Sequence, residues 1–574
     1  MINIEKEIIK KFPNLSSKAP MLQKSLFKIA QKLVHEDQVN EFLKENQHLK
    51  GFDFIEAVLD YFKFDFSYSS RDIENIPSNG RVVIISNHPL GALDALCLLK
   101  LVGSVRKDVK IVANDFLAGV DALDSLFIKV DNFKSKQAKE NIKNIYEALN
   151  NEEAVIIFPA GEVSRVSPTG VKDGKWQKGF LKFATKSKSP ILPILVDAKN
   201  SKTFYTLSVL NKTFSTILLS DEMFKKRDKN IAIKIGKLIP FKNITSSTSQ
   251  KSDLVDQYKK HLYGLKKGKK LYFDTIDTIA HSENRQLLKK ELKNSQLIGQ
   301  TSDNKKIYLF DYTPDSAVMK EIGRLRELSF RKVNEGVNKK RDIDQYDPYY
   351  KHIVLWDEEE LEIVGSYRIG NGKDIKKKYG KDGFYSNTLF KFQDPFLPYL
   401  DDAIELGRSF VQPKYWGTRA LDYLWFGIGA YLKHNPEIKY MFGPVSLSGN
   451  FPQYAKELIV DFYQSYFRYE QKFVDPLNPF EYETSEIALN NPFQFNNYKE
   501  DMKLLKNQLK SMDLTIPTLY KQYGELCNEG GLEFHGFNID PDFSNCIDGF
   551  IIVSIDKIKQ SKIDRYIGKQ PDSN

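Results

Sequence analysis

The sequence has 574 residues, of which 41% are hydrophobic and 28% charged, the balance of a folded protein rather than a disordered one. This length predicts two or more domains. The net charge of +10 fits an acidic partner such as anionic lipid or an acidic carrier protein. A nucleic-acid partner is not expected, because the chain has no zinc knuckle, RNP-like strand or helix-turn-helix pattern.

Cysteine spacing and hydropathy indicate the cellular compartment in which the protein works. The three cysteines, Cys97, Cys527 and Cys546, are scattered without metal-ligand spacing, which predicts no metal site and a reducing compartment. The run MINIEKEIIKKF lacks the apolar core of a secretory signal, and no stretch approaches the roughly 18 apolar residues of a spanning helix. We therefore expect a cytoplasmic protein, peripheral on the inner face of the cell membrane.

The predicted elements change character along the chain. Residues 1–75 carry apolar stripes at helical spacing, which predict a helical segment that packs on a core or contacts a membrane surface. Residues 76–280 alternate strands and helices and predict an α/β domain with a mainly parallel sheet. Its strands are Val82–Ser86, Val109–Ala113, Ala154–Phe158, Ile191–Val196 and Ile231–Ile235. A linker over residues 281–304 and a second α/β domain over residues 305–574 follow, with strands Lys306–Phe310, Ile353–Asp357, Ile363–Arg368 and Ala403–Val411.

The stretch Val82–Asp94, VVIISNHPLGALD, brings a histidine and an aspartate to the end of a strand. His88 and Asp94 lie six residues apart and share no helix face, so they meet only if His88 lies in a turn and Asp94 on the helix after it. An aspartate that orients an imidazole makes the imidazole a general base for an attacking hydroxyl. A structural histidine is the alternative interpretation of this pair.

A second strand ends in a similar turn at Ile156–Arg165, IIFPAGEVSR. Together with Asn87, His88 and Asp94 it resembles the glycerolipid (lysophospholipid) acyltransferase family over residues 70–270. The supporting motifs arrive in the family's order: Asn114-Asp115, Phe127–Asp131, the FP-x-G turn, Lys178-Gly179-Phe180 and Pro190-Ile191-Leu192-Pro193. The resemblance implies acyl transfer from a carrier thioester to a hydroxyl, with His88 as general base and Asp94 holding its tautomer. It also implies substrate contacts at Asn87, Gly161, Glu162, Ser164 and Arg165.

Two departures from that family concern the acceptor. Five residues separate His88 from Asp94, where the family commonly has four. In the turn, Ala160 and Val163 stand where members acting on phosphate-bearing acceptors usually have Glu and Arg, and Arg165 comes two places late. We therefore expect an acceptor other than a glycerol phosphate, with a carboxylate head that pairs with Arg165.

Charged residues of the second half recur at fixed spacings. They are Arg326 on a predicted helix, with Phe330 on the same face, Asp344 and Asp347 in a loop, Arg368 at a strand end, and Glu405 and Arg408 on a further strand. Residues three apart on a strand point to opposite faces, so Glu405 and Arg408 serve one site only if that strand bulges or splits. Taken singly, each residue also fits an ordinary ion pair.

With Trp416-Gly417 and the run Tyr523–Asp548, these spacings resemble the hemolysin-like N-acyltransferases of the GNAT superfamily, which are similar to acyl-homoserine-lactone synthases, over residues 305–560. The resemblance implies attack of an amine on a thioester, with Glu405 accepting the proton of the amine. It implies substrate binding by Arg326, Phe330, Asp344, Asp347, Arg368 and Arg408. No bound cofactor is expected. The GNAT pyrophosphate loop is only partial, at residues 412–417, which favours acyl carrier protein over CoA as the acyl donor.

The whole chain resembles the bifunctional ornithine-lipid or glycine-lipid synthases of bacteria. The resemblance implies that the C-terminal domain joins a 3-hydroxyacyl chain to the amine of an amino acid, and that the N-terminal domain esterifies the 3-hydroxyl of this N-acyl amino acid. Ornithine is slightly favoured, because Asp344 or Asp347 would suit its side-chain ammonium, and glycine comes next. Three alternatives stay open: a phospholipid-remodelling acyltransferase with a non-catalytic second half, a fused acyl-amino-acid signal synthase, and a membrane-surface or carrier-protein binding module without catalysis.

Overall fold

The computed structural model describes residues 5, 20–113, 120–129, 136–167, 170–210, 212–241, 243, 251–266, 268, 271–333, 335–483 and 491–568. The chain forms two compact units, Met1–Thr278 and Ile279–Asn574. Each unit combines helices with a central sheet, so the predicted α/β class is confirmed. Asn114, Asp115 and residues 130–131, which belong to the predicted motif order, lie outside the described residues.

The first unit opens with helices and then alternates strands and helices. Its helices are α1 (Pro20–Val34), α2 (Glu36–Glu45), α3 (Gly51–Tyr61), α4 (Ala92–Gly103), α5 (Lys136–Asn150), α6 (Gly179–Ser187), α7 (Lys202–Leu210), α8 (Lys212–Lys225) and α9 (Lys251–Gly264). Its strands are β1 (Asp65–Ser67), β2 (Val82–Ser86), β3 (Val109–Ala113), β4 (Phe127–Lys129), β5 (Ala154–Ile157), β6 (Arg165–Ser167), β7 (Gly170–Lys172), β8 (Ile191–Asp197) and β9 (Asn230–Ile235).

The main sheet of this unit has the strand order β1-β9-β8-β2-β5-β3-β4. All neighbouring strands run parallel except β8 and β9, as the predicted mainly parallel sheet requires. The β-branched run of β2 is buried at every residue, because helices cover both faces of a parallel sheet. Val82 and Ile84 pack into the core with α3 and α4, and Val83 and Ile85 pack into the opposite core with α5, α6 and α9. The turn after β2 is thereby held by a strand in the middle of the sheet.

The second unit is built on a larger, mostly antiparallel sheet. Its helices are α10 (Arg285–Leu292), α11 (Ala317–Lys332), α12 (Gly372–Tyr379), α13 (Ala420–His434), α14 (Gln453–Tyr466), α15 (Tyr498–Ser511), α16 (Thr518–Gly524) and α17 (Gln560–Ile563). Its strands are β10 (Gln296–Gln300), β11 (Lys306–Asp311), β12 (Lys351–Asp357), β13 (Glu362–Asn371), β14 (Phe390–Phe392), β15 (Ala403–Val411), β16 (Tyr440–Leu447), β17 (Val474–Pro476), β18 (Leu532–Asp540) and β19 (Cys546–Ser554).

The eight-stranded sheet of the second unit has the order β10-β11-β12-β13-β15-β16-β19-β18. The pair β15–β16 is parallel and the other pairs are antiparallel. Helices α13 to α16 pack on one face of its central strands, and an aromatic cluster that includes Phe442 and Phe550 covers the other. Glu405 lies on this aromatic face, because it is the register partner of Phe442.

The boundary between the units lies earlier than the expected second domain at residue 305. Residues 281–304, expected as a linker, contain α10 and the edge strand β10, which pairs antiparallel with β11. Leu288 and Leu292 of α10 are buried in the core beside α11. The segment belongs to the second unit because its apolar residues pack there and its backbone extends the sheet.

Candidate functional site

His88 and Asp94 meet at the carboxyl end of β2. His88 lies in the turn and Asp94 in the first turn of α4, as the sequence predicts. The imidazole Nδ1 lies 3.2 Å from Asp94 Oδ1, within ion-pair distance. Asp94 is fully buried and accepts hydrogen bonds from the backbone N–H groups of Leu90 (2.8 Å) and Ala95 (2.9 Å). The turn and the helix start therefore fix the carboxylate beside the imidazole.

The surroundings of His88 favour its charged form. Burial lowers the pKa of His88, but the charge and contact of Asp94, with the charge of Asp173, outweigh it and raise the pKa above its usual value. The imidazole also stacks on Phe158, with ring centroids 3.9 Å apart. The side chain keeps 18% of its surface exposed, so a substrate hydroxyl has a route to the ring.

Asn87 braces the turn. Its Nδ2 donates to the carbonyl of Val196 and its Oδ1 accepts from the N–H of Val196, both at 2.8 Å. Both atoms of the amide are thus bonded to the backbone of the neighbouring strand β8. This geometry assigns Asn87 a supporting place beside the imidazole, and the predicted substrate contact of Asn87 stays a prediction.

The FP-x-G turn approaches the histidine through Ser164. The N–H of Ser164 donates to the carbonyl of His88 at 2.7 Å, and the residue is 1% exposed. Gly161 has a φ of 65°, a conformation that favours glycine, and its N–H closes the turn onto Phe158. Glu162 and Arg165 form an ion pair of 3.4 Å on the same turn. The structure thus gathers the predicted residues of this motif at the end of β5, next to the histidine.

Asp173 joins the two motifs and was missed from the sequence. Its Oδ1 accepts from the N–H of His88 (3.2 Å) and from the hydroxyl of Ser164 (2.6 Å), and its Oδ2 accepts from Trp176 Nε1 (2.9 Å). Tyr263 from α9 contributes a hydroxyl 2.9 Å from the N–H of Asp173. An Asp-Gly pair after a short hairpin is an ordinary turn signal, so the sequence carries no mark of this role.

In the second unit, β15 bulges and separates from β16. The two strands pair only over residues 403–405 and 440–442. Opposite β13, the register of β15 gains a residue between Ser366 and Arg368, and Arg408 adopts a φ of 50°. The bulge that the sequence analysis required is therefore present, and it lies at Arg408. The opening between β15 and β16 beyond Glu405 is called the strand split below.

A buried ion network lies on the same face of the sheet as Glu405. Arg326 Nη1 and Asp347 Oδ1 are 2.9 Å apart with no exposed surface on either side chain. Arg368 Nη1 lies 2.7 Å from Asp344 Oδ1 and 3.2 Å from Asp347 Oδ1. Although burial alone would raise them, the pKa values of Asp344 and Asp347 are lowered by these guanidinium groups. Arg326 and Arg368, which the resemblance gave a substrate-binding role, are thus engaged with the loop carboxylates.

Glu405 is held by several donors. Its Oε1 accepts from the N–H (2.6 Å) and the hydroxyl (2.5 Å) of Ser386, and its Oε2 accepts from the hydroxyl of Tyr350. Burial raises the pKa of this carboxyl, and the donors and Arg368 oppose the rise. Ser386 and Tyr350 were not found from the sequence, since neither belongs to a recurring spacing. Phe330 packs against Phe543, with ring centroids 5.2 Å apart.

Arg408 is less firmly engaged than the other two arginines. Its Nη1 and Nη2 lie 3.5 Å from Asp342 Oδ2 and Asp344 Oδ2, and its guanidinium lies over the rings of Tyr385 (4.7 Å) and Phe543 (5.2 Å). Elsewhere in the described ranges, no group of three or more His, Cys, Asp or Glu residues has the arrangement of a metal site. Among the described helices, none is long and apolar enough to cross a bilayer.

Comparison with known proteins finds two families in the chain. A family described as acyltransferase matches residues 8–270, and an acetyltransferase (GNAT) domain matches residues 325–426. A glycine N(alpha)-acyltransferase of Phocaeicola vulgatus is 33% identical over 296 residues, which cover 49% of this chain and 90% of that protein. A lyso-glycine lipid O-acyltransferase of Bacteroides thetaiotaomicron is 32% identical over 254 residues, 43% of this chain and 91% of that protein. An L-ornithine N(alpha)-acyltransferase of Brucella abortus is 30% identical over 251 residues, 42% of this chain and 79% of that protein.

Proposed function

Since the chain belongs to the acyltransferases of bacterial aminolipid synthesis, with an acyltransferase domain and a GNAT domain in one polypeptide, we propose that it carries out two consecutive acylations. The second unit joins a 3-hydroxyacyl chain to the amine of an amino acid. The first unit then esterifies the 3-hydroxyl of that product. The observation that carries the proposal is the likeness of one chain to both an N-acyltransferase and a lyso-lipid O-acyltransferase. The first product supplies the hydroxyl that the second reaction needs, and the tether raises its effective concentration.

We place glycine first as the amino acid and ornithine second, which reverses the order favoured by the sequence. The two relatives named for glycine above are 33% and 32% identical to this chain, which covers about nine-tenths of their length. The ornithine relative is 30% identical, and the chain covers 79% of its length. Asp344 and Asp347, which the sequence analysis reserved for an ornithine ammonium, are already paired with arginines. This removes the reason for preferring ornithine.

In the first unit, His88 acts as the general base. Its imidazole takes the proton of the 3-hydroxyl while the oxygen attacks the thioester carbon, an ester bond forms and the carbon–sulfur bond breaks. The proton then passes from His88 to the departing thiolate, so the thiol leaves neutral. Asp94 supports this cycle, because its carboxylate lies 3.2 Å from the imidazole and favours the imidazolium that forms during the attack.

The donor is an acyl carrier protein and the reaction takes place at a membrane surface. The net charge of +10 suits both an acidic carrier and an anionic lipid surface. A comparison of 3-hydroxyacyl carrier protein with 3-hydroxyacyl-CoA at equal concentration tests the donor. Faster N-acylation from CoA at low and at moderate salt would contradict it.

Lipid extraction from a host without aminolipids tests the two-step proposal. Mass spectrometry of cells that express the wild-type chain is expected to find a diacyl glycine lipid. His88→Ala should stop the pathway at N-(3-hydroxyacyl)glycine, because only the base of the second step is lost. Glu405→Ala should remove both products, because the first step supplies the second. A diacyl lipid in the His88→Ala extract would refute the assignment of the first unit.

A further inference from the structure

Asp548 lies one strand beyond the strand split, on the side opposite Arg408. It lies on β19 as the register partner of Ser446 on β16, four residues beyond Phe442, where the pairing of β15 and β16 ends. Because strand residues two apart share a face, Asp548 lies on the same face as Phe550 and Ile552 and thus on the face of Glu405. The carboxylate is 2% exposed and accepts one side-chain hydrogen bond, from the hydroxyl of Ser446 at 2.6 Å.

Two more carboxylates lie near Asp548 and none of the three forms an ion pair among the described residues. Burial and the charge of Asp540 raise the pKa of Asp548 to about 7, although Ser446 and Arg408 oppose the rise. Burial and the charge of Asp548 raise the pKa of Glu335 to about 7, and burial also raises that of Asp540. A cation is therefore favoured at this position, because it would stabilise the ionised form of these groups.

Arg408 gives an independent sign of a ligand. Its side chain is 10% exposed, yet Nε has no hydrogen-bond partner among the described residues and both terminal nitrogens make only 3.5 Å contacts. The φ of 50° at Arg408 brings this side chain to the face of Glu405, and its guanidinium reaches Phe543 in the turn that follows Asp540. A buried guanidinium with donors to spare is suited to a bidentate carboxylate.

We propose that the strand split holds the amino-acid acceptor as a zwitterion, with the carboxylate on Arg408 and the ammonium on Asp548, which takes the proton that frees the amine. This inference rests on the proposed N-acylation and adds its acceptor subsite and its base. The neutral amine then attacks the thioester carbon, the carbon–nitrogen bond forms and the carbon–sulfur bond breaks. The second proton of the amine goes to the thiolate, and the proton on Asp548 returns to solvent. Glu405 is a positioning residue in this arrangement, since its two oxygens hold Ser386 and Tyr350.

Proton release on binding tests the ammonium subsite. In the free protein at pH 6, Asp548 is mostly protonated, and a bound ammonium expels its proton. Calorimetry of glycine binding to the full chain with a non-transferable thioether analogue of the donor, in buffers of different ionisation enthalpy, should find about one proton released at pH 6 and much less at pH 8. Asp548→Asn should abolish the release and weaken binding at least about tenfold. This variant keeps every other residue that faces Asp548, namely Ser446, Asp540, Glu335, Arg408, Tyr385, Tyr520 and Cys546.

A matched control variant distinguishes the proposed role of Asp548 from an effect that any partly or fully buried carboxylate would have. Asp461 on α14 also has a pKa raised by burial and accepts a hydrogen bond from Asn491, but it does not border the split. Asp461→Asn should leave proton release and affinity at wild-type values. Glu405→Gln should slow N-acylation but leave the pH midpoint of about 7 in place, whereas Asp548→Asn should remove that midpoint. Normal proton release in Asp548→Asn would overturn the proposal, as would a midpoint that moves with Glu405→Gln instead.

Glycinamide tests the carboxylate subsite. The wild-type chain should prefer glycine to glycinamide, Asp548→Asn should keep that preference, and Arg408→Gln should lose it. Equal loss of the preference in both variants would overturn the separate assignment of the two ends. If the wild-type chain N-acylates neither glycine nor ornithine, the proposed function itself fails. If it does so with Asp548→Asn unaffected, only the inference fails.

Discussion

Removal of the Asp173 carboxylate should destabilise the first unit and misplace its histidine. The carboxylate is 4% exposed and accepts from the N–H of His88, the hydroxyl of Ser164 and the indole of Trp176. Asp173→Ala removes the acceptor of three donors, and each donor left without an acceptor costs at least about 1 kcal/mol. We expect the free energy of unfolding to fall by about 3 kcal/mol, which lowers the urea midpoint by about 1 M at a slope of about 3 kcal/mol/M.

The single tryptophan of the first unit makes this measurable in the full chain. With 5-fluorotryptophan incorporated, the fluorine resonance of Trp176, assigned by Trp176→Phe, reports unfolding of that unit alone. Asp60→Ala removes an exposed carboxylate at the end of α3 and serves as the control with no loss. Asp173→Asn should cost less than alanine, because its carbonyl oxygen can still accept from the donors on one side of the carboxylate. A midpoint for Asp173→Ala within about 0.2 M of wild type would refute the reasoning.

Three further substitutions test the two units separately, by activity or by stability. The rate of O-acylation of supplied N-acyl glycine should rise with pH through a midpoint above 6.5, because His88 must be neutral to act as a base. Asp94→Asn should move that midpoint to lower pH and also slow the reaction. Arg326→Ala should destabilise the second unit by about 3 kcal/mol, since it removes one of the two guanidinium partners of the buried Asp347 carboxylate, and urea unfolding followed by the fluorine signal of buried Trp356 measures the loss. Gly443→Ala should abolish N-acylation and spare O-acylation of supplied substrate, because its Cβ would lie 2.1 Å from a backbone oxygen of β15 at the split.

The fold was predictable where hydrophobic runs are continuous or strictly periodic. The run at Val82–Ser86 is a strand in the sequence analysis and in the structure, since β-branched residues buried on both faces leave a continuous signal. The strand Tyr440–Leu447 was not predicted, because it contains Gly443 and Pro444, which normally mark a turn or an edge. The edge strand Gln296–Gln300 was taken for linker, since two of its five residues are polar and exposed.

The candidate site was predictable where its members are close in sequence. His88 and Asp94 are six residues apart, so strand, turn and helix alone decide that they meet. Arg326, Asp344, Asp347 and Arg368 were each selected by spacing, but the pairs Arg326–Asp347 and Arg368–Asp344 are seen only in the structure. Asp173 lies 85 residues from His88 and Tyr350 lies 55 residues from Glu405, so only the tertiary fold creates these contacts.

The buried carboxylates of the two candidate sites differ in the number of donors that they hold. Asp173 and Glu405 each accept three hydrogen bonds, and each thereby holds other groups in place. The donors to Glu405 oppose the rise that burial causes in the pKa of its carboxyl. Asp548 accepts one side-chain hydrogen bond and lies near two like charges, which leaves its proton affinity close to neutral pH. In the proposed arrangement Glu405, which sequence spacing selects, therefore anchors Ser386 and Tyr350, and Asp548, which spacing does not select, accepts the proton.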